Sequence, residues 1–430
     1  MIKRLLVICH DFHPMPSANT LCLDPILSEL VARGVTIDLI CVRPSLRVAR
    51  RERYRDVNVY RLLSISDLLH RWLGRMASIE SRPIAILGSV LLLAFRMLLG
   101  GFIEGYVSLW RRKAERICAK LHGMYSYDAM VSVSLPFVTN QVAFNLKQRS
   151  PGLPWLVYEL DPFTYNYVLP TRQVGRRIAI ETAVARAADI TISTSGIIEE
   201  NVRRRFRASD AYRQMSLPLP NLAPRASAAS RRPDSDASCD RSTINVVYTG
   251  VFYQRIRPPE ALGRLMTGLR TDDVVFHLYG GSCENFFRDL DLPRGRVVLH
   301  GRVSKEVSDQ AIDFADVVLN VGNDLPNQIP SKLFAYMASG KPILHLSQNA
   351  DDPSLPLLNT YGHVLIVDAT GSPTDSEFDR IASFLEAVRG VTLAPEEIER
   401  RMDEYLSERV VRRFIASLEG VVRNRPRAHD

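Results

Sequence analysis

The sequence predicts an α/β protein of two Rossmann-like halves, each a parallel sheet wrapped by helices, and three observations carry that expectation. Arg4-Leu5-Leu6-Val7-Ile8-Cys9 is an apolar run followed by a polar loop, a helical pattern, Gly34 and a second apolar run at 35–42. Residues 217–243 turn to Pro, Ala and Ser with almost no large apolar side chain, which reads as an interdomain linker. Beyond it, short apolar runs end in glycine at Thr249-Gly250, Gly280-Gly281 and Gly301, as strands entering tight turns do. The expected domains are 1–216 and 244–394, with 395–430 as a terminal helix crossing back to the first.

The first loop carries Asp11, His13, Ser17 and Asn19 directly after the opening strand, and it lacks the G-x-G-x-x-G of a dinucleotide fingerprint. In the helix over 21–33, Leu23, Ile26, Leu27, Leu30 and Val31 share one face. The most apolar part of the chain, 83–110, is interrupted by Arg96 and Glu104, so it falls short of the ~20 apolar residues that a span needs. Arg71, Arg75, Arg82, Arg111, Arg112 and Lys113 fringe it, with Trp72 and Trp110 at its margins. It is expected to lie in the headgroup layer of an anionic membrane surface; the alternative is a pair of core helices. Strands are expected at 127–134, at 155–162 with Glu159 and Asp161 at the carboxyl end, and at 190–195 after a helix over 178–188. Asp11, His13, Glu159 and Asp161 are each able to bind or deprotonate a hydroxyl from such positions.

In the second half, strands are expected at 244–248, 274–279, 297–300 and 317–321. The last opens a compact βαβ unit. Gly322-Asn323-Asp324 is a turn, Asn327-Gln328-Ile329-Pro330-Ser331 supplies a helix-start proline and capping side chains, 332–338 is the helix, and Gly340 stops it before a strand at 343–346. A helix start at the carboxyl ends of parallel strands offers N–H groups to an anion, and Lys332 adds a full charge. Farther on, Ile398, Met402, Tyr405, Leu406, Val410, Phe414, Leu418 and Val421 recur as one long amphipathic helix.

The 430 residues suit two or three domains, and 46% hydrophobic with 24% charged residues is a globular composition. A formal charge of +8 favours anionic partners. No aromatic-interleaved basic motif or zinc-finger spacing occurs, so nucleic acid is not expected. The six cysteines form no C-x-x-C pair and read as buried thiols of a reducing compartment, not as metal ligands. Asp289-Leu290-Asp291 does not directly follow an apolar strand and reads as an exposed loop, leaving no metal site expected.

The run Pro330-Ser331-Lys332-Leu333-Phe334-Ala335-Tyr336-Met337-Ala338-Ser339-Gly340-Lys341-Pro342 resembles the donor-site helix of GT-B glycosyltransferases, specifically the large retaining family that builds bacterial surface polysaccharides. The resemblance implies two Rossmann-like domains facing each other across a cleft. It also implies transfer of a sugar, with retention, from a nucleotide-sugar donor to a polyprenyl-linked or glycan acceptor at the cytoplasmic face of the cell membrane, with the nucleotide sugar as co-substrate and no other cofactor. Lys332, Arg257 and Asn327 then stand as catalytic candidates, and Gly250, Arg255, Gly280, Gly281, Gln328, Pro330 and Ser331 as donor-binding ones. Asp11, His13, Ser17, Asn19, Glu159 and Asp161 stand on the acceptor side. The chain departs from the family at its paired glutamates, which fall on Asn327 and Ala335, and at the arginine after the first strand-ending glycine, which falls on Val251. Two alternatives follow: a nucleotide-sugar epimerase, or a non-catalytic GT-B subunit that scaffolds a partner transferase, the latter favoured by the missing glutamates.

Overall fold

The structure, a computed structural model, describes residues 2–64, 109–166, 174–204, 206, 212–224, 243–252, 256–271, 273–287 and 295–424, with short pieces between 68 and 94. It divides into two compact units, residues 1–219 together with 410–430, and residues 220–409.

The first unit is built on eight strands: β1 (Arg4–Ile8), β2 (Thr36–Val42), β3 (Arg51–Tyr54), β4 (Val57–Leu62), β5 (Ala129–Ser134), β6 (Trp155–Glu159), β7 (Ile190–Ser193) and β8 (Gln214–Ser216). Their order is β3-β4-β2-β1-β5-β6-β7-β8, parallel except where β3 meets β4. The helices are α1 (Ala18–Ala32), α2 (Leu109–Tyr125), α3 (Val138–Arg149), α4 (Val174–Ala187) and α5 (Ser195–Arg203). Because helices cover both faces, the central strands are apolar almost throughout. One buried charge on them, Asp38 on β2, is fully enclosed and accepts hydrogen bonds from Arg4 Nε, Asn58 Nδ2 and Tyr127 Oη, which offset its desolvation.

The second unit holds β9 (Ile244–Thr249), β10 (Val274–Tyr279), β11 (Val297–Gly301), β12 (Val317–Val321), β13 (Ile343–Ser347) and β14 (Val364–Asp368). Its helices are α6 (Glu260–Gly268), α7 (Cys283–Phe287), α8 (Lys305–Phe314), α9 (Lys332–Ala338), α10 (Leu355–Tyr361), α11 (Asp375–Ala387) and α12 (Pro395–Arg401). All neighbours in the order β11-β10-β9-β12-β13-β14 are parallel. Strand order therefore reverses between β9 and β12, where a doubly wound sheet opens a crevice at its carboxyl edge. Under that edge, Asn320 Nδ2 donates to His345 Nδ1 at 2.7 Å, and His345 Nε2 donates to Asp352 Oδ2 at 2.9 Å.

The expected single terminal helix is two. After α12 comes a 3₁₀ turn at Asp403–Tyr405, then Leu406 in extended geometry, then α13 (Ser407–Arg423). Leu406 forms a β-bridge with Leu222, and Ser407 donates its N–H to the Leu222 carbonyl at 2.7 Å, so backbone pairing takes these residues out of the helix. Val410, Val411, Phe414, Ile415 and Leu418 of α13 enter the core of the first unit, where Phe414 meets Tyr158 edge-on. Of the expected linker, 225–242 lies outside the described residues, while Leu217 and Leu222 are buried.

Most of the apolar segment 83–110 also lies outside the described residues. Trp110 corrects one expectation: it is 1% exposed, packed in the core beside His10, because α2 lies against the sheet, and so it is no interfacial anchor. Trp72, Ile86, Leu87 and Val90 are exposed. Among the described residues no helix is long and apolar enough to cross a membrane.

Candidate functional site

Three strands of the second sheet end side by side in glycine turns, and these turns floor a cavity of about 500 Å³. Gly250, Gly280 and Gly281 line it with backbone. A side chain at 280 would run into the carbonyl oxygen of Gly250, and one at 250 would meet Tyr248 Oη at 2.7 Å. The turns are fastened to one another: Gly250 N–H donates to Tyr279 O, Gly280 N–H to Gly301 O, and Phe252 N–H to Ser282 Oγ. Tyr336 of α9 is buried, accepts from Thr249 N–H at 2.8 Å and donates to Thr249 O, pinning the helix to the end of β9.

Cations supply the rest of the wall. Arg302, Lys305 and Lys332 line the cavity, and among the described residues no acidic one does. Lys332 Nζ donates to Ser308 Oγ at 3.1 Å. Burial pulls the Lys332 pKa below the ordinary lysine value and Lys305 adds to the fall, while Asp309 opposes both. An anion entering here finds three positive charges on the carboxyl side of a parallel sheet, one of them partly dehydrated.

The structure brings Lys332, Gly250, Gly280 and Gly281 together at this cavity, and Arg257, Asn327, Gln328, Pro330 and Ser331 are not part of its lining. Arg257 instead donates from Nη2 to Asn323 Oδ1 at 2.8 Å, and Asn323 Nδ2 donates to Gln328 O. Asn327 is 2% exposed, and neither its Oδ1 nor its Nδ2 has a partner among the described residues. Pro330 is buried and Ser331 exposed. Ser331 does not cap α9 as expected: its backbone is helical (φ −61, ψ −27), whereas a capping serine needs an extended one. Arg255, Asp289 and Asp291 lie outside the described residues.

Of the first-unit candidates, Ser17 forms a capping box with Thr20 at the start of α1. Asn19 Nδ2 donates to the carbonyls of Ser134 and Leu135, tying the first turn of α1 to the end of β5. His13 Nε2 meets Asp24 at 2.8 Å and its ring stacks on Tyr54; Asp11 meets His10 at 3.3 Å. Glu159 is 2% exposed and accepts from Ser193 Oγ, while Asp161, just beyond β6, is half-buried. Among the described residues no His, Cys, Asp or Glu cluster suits a metal ion.

Sequence reasoning missed Arg302, Lys305 and Tyr336. The signal for Arg302 was present: it follows Gly301 as Val251 follows Gly250, and both residues line the cavity. Arg302 thus brings a cation to the cavity from the end of β11, two strands away from β9.

No protein family and no curated protein matches the sequence. Solved structures match over nearly its whole length. Sucrose-phosphate synthase from Thermosynechococcus elongatus superposes with a TM-score of 0.69 at 16% identity, over 97% of this chain and 99% of that one. A glycosyltransferase from Rickettsia africae matches at 0.63 and 10% identity over 98% and 99%. The Anabaena protein HepE in complex with UDP matches at 0.63 and 12% identity over 97% and 100%. With two parallel-sheet domains and these neighbours, the chain has the GT-B fold that the helix 332–338 led one to expect.

Proposed function

We propose that this chain is a glycosyltransferase that takes its sugar from a nucleotide donor, holding the donor's diphosphate in the glycine-floored cavity of the second unit. The observation that carries the proposal is that cavity, with Arg302, Lys305 and Lys332 converging on backbone turns at the carboxyl ends of parallel strands. Sugar transfer leaves negative charge on the departing diphosphate, and pre-placed cations stabilise it as it develops. The UDP and UDP-glucose found with HepE support a donor of this class. We further propose transfer with retention and without a metal, the three cations serving for charge neutralisation, so that chelator leaves turnover unchanged. The acceptor is a polyprenyl-linked or glycan molecule of surface-polysaccharide synthesis, met at the inner face of the cell membrane. Exposed Trp72, Ile86, Leu87 and Val90 in a cation-fringed sequence support that location.

One observation favours a second reading, a subunit that binds nucleotide and scaffolds another transferase: Ala335 offers no acceptor to a ribose hydroxyl, and Asn327 is buried. The test incubates wild type and Ala335→Glu with a panel of nucleotide sugars and a membrane-lipid extract, scoring nucleotide release and labelled lipid. Turnover by wild type establishes the transferase, and consumption of donor without acceptor would indicate an epimerase. Failure of both proteins with nucleotide binding intact would overturn the proposal. A hydrogen bond from ribose to the new carboxylate is worth about 1.5–3 kcal/mol, so Ala335→Glu should bind nucleotide more tightly than wild type.

A further inference from the structure

The first unit contains a cavity of about 460 Å³ that none of the chemistry above uses. It lies where β2 and β4 end, against α2, and its wall includes Arg43, Arg50, Arg51, Arg61, Lys113 and Arg116, with no acidic residue among the described ones. Its volume falls within the ~300–1,000 Å³ usual for small-molecule sites. Arg61 is the deepest of the six, 3% exposed; it meets Glu52 through Nη1 and the His13 carbonyl through Nη2, while its buried Nε has no partner among the described residues. Arg43 is braced by the carbonyls of Leu46 and Val48, and Lys113 by that of Leu63, so these two side chains are held in place by backbone. Among the described residues no carboxylate comes within ion-pair distance of Arg43, Arg50, Arg51, Lys113 or Arg116. Like charges gathered around one concavity repel each other, and an anion with several oxygens turns that repulsion into charge-assisted hydrogen bonds.

We propose that this cavity is a second anion site that binds the phosphate groups of a diphosphate ligand. A single phosphate would leave much of so large a cationic wall unused, and a compact concavity fits a small anion better than the extended basic stripe that follows a nucleic-acid backbone. The site is independent of donor binding, so it stands or falls apart from the transferase reading.

The test titrates inorganic pyrophosphate by calorimetry into the full-length wild type, R50E/R116E and K332A chains. Both arginines are exposed, so the double variant should keep its circular dichroism and melting temperature, and R50Q/R116Q replaces it if it does not. Because the glycine-floored cavity is also read as a diphosphate site, the wild type should show two pyrophosphate binding events, of which R50E/R116E weakens one about tenfold or more while K332A weakens only the other, in line with the worth of hydrogen bonds between charged groups. Unchanged affinity in the double variant, or loss of all binding in K332A alone, would overturn the site. Flotation with phosphatidylcholine vesicles, with and without diacylglycerol pyrophosphate, then identifies the source. Recruitment by diacylglycerol pyrophosphate that R50E/R116E loses assigns the diphosphate to a lipid headgroup, and pyrophosphate binding without recruitment assigns it to a soluble ligand.

Discussion

Asn327 is the residue whose environment is hardest to explain by folding alone. An amide buried with neither oxygen nor nitrogen paired costs about 1–3 kcal/mol. Replacing it with leucine should therefore raise the stability measured by urea denaturation by about 1 kcal/mol, at the expense of nucleotide affinity if the amide serves the ligand. Lys332 and Arg302 make the converse case, since both face the cavity with charge. Alanine at either position should weaken nucleoside diphosphate binding by about 1.5–3 kcal/mol in calorimetry, and unchanged affinity in a folded variant would remove that residue from the diphosphate site. The pH dependence has a definite sign. Burial has already lowered the Lys332 pKa, so the charge that favours binding is present at neutral pH and lost as pH rises through a value below that of an ordinary lysine. Lys332→Arg, which stays charged, should hold its affinity to higher pH than wild type.

At the scale of the element, the glycine turns show why so much of this site could be read from sequence. Gly280 lies beneath the Gly250 carbonyl, Gly250 against the Tyr248 hydroxyl, and Gly301 takes a positive φ of 65°, so each turn needs glycine and the apolar runs ending in it announce that need locally. Gly280→Ala should lower the thermal midpoint of the second unit, with about 1–3 kcal/mol lost to overpacking, and should weaken nucleotide binding as the Gly250 turn is displaced. What could not be read depends on partners remote in the chain. The periodicity from Ile398 to Val421 is unbroken in sequence, and only the pairing of Leu406 with Leu222 divides it into α12 and α13. Trp110 looked interfacial because its flanking charges are visible in sequence, whereas the sheet it packs on is not. Arg302 and Lys305 went unnoticed because they follow β11, and their approach to Lys332 depends on the order in which strands assemble.

For the whole molecule, the decisive feature is that the first unit is discontinuous: it ends at Leu219 and resumes at Val410. Phe414 is fully buried against Tyr158 and the strands of that unit, so Phe414→Ala should cost it about 3–5 kcal/mol, read as lost hydrogen-exchange protection in β1, β5 and β6 with β9 and β12 unaffected. This arrangement also governs the order of events on the ribosome. A nascent chain usually completes its amino-terminal domain first, but here the apolar groove that receives α13 stays unfilled until every residue of the second unit has been made. At ~5–20 residues per second that wait lasts roughly 10–40 s. Throughout it the opening half exposes the side chains that Val411, Phe414 and Leu418 will later cover, and in this interval a holding chaperone would have most to bind.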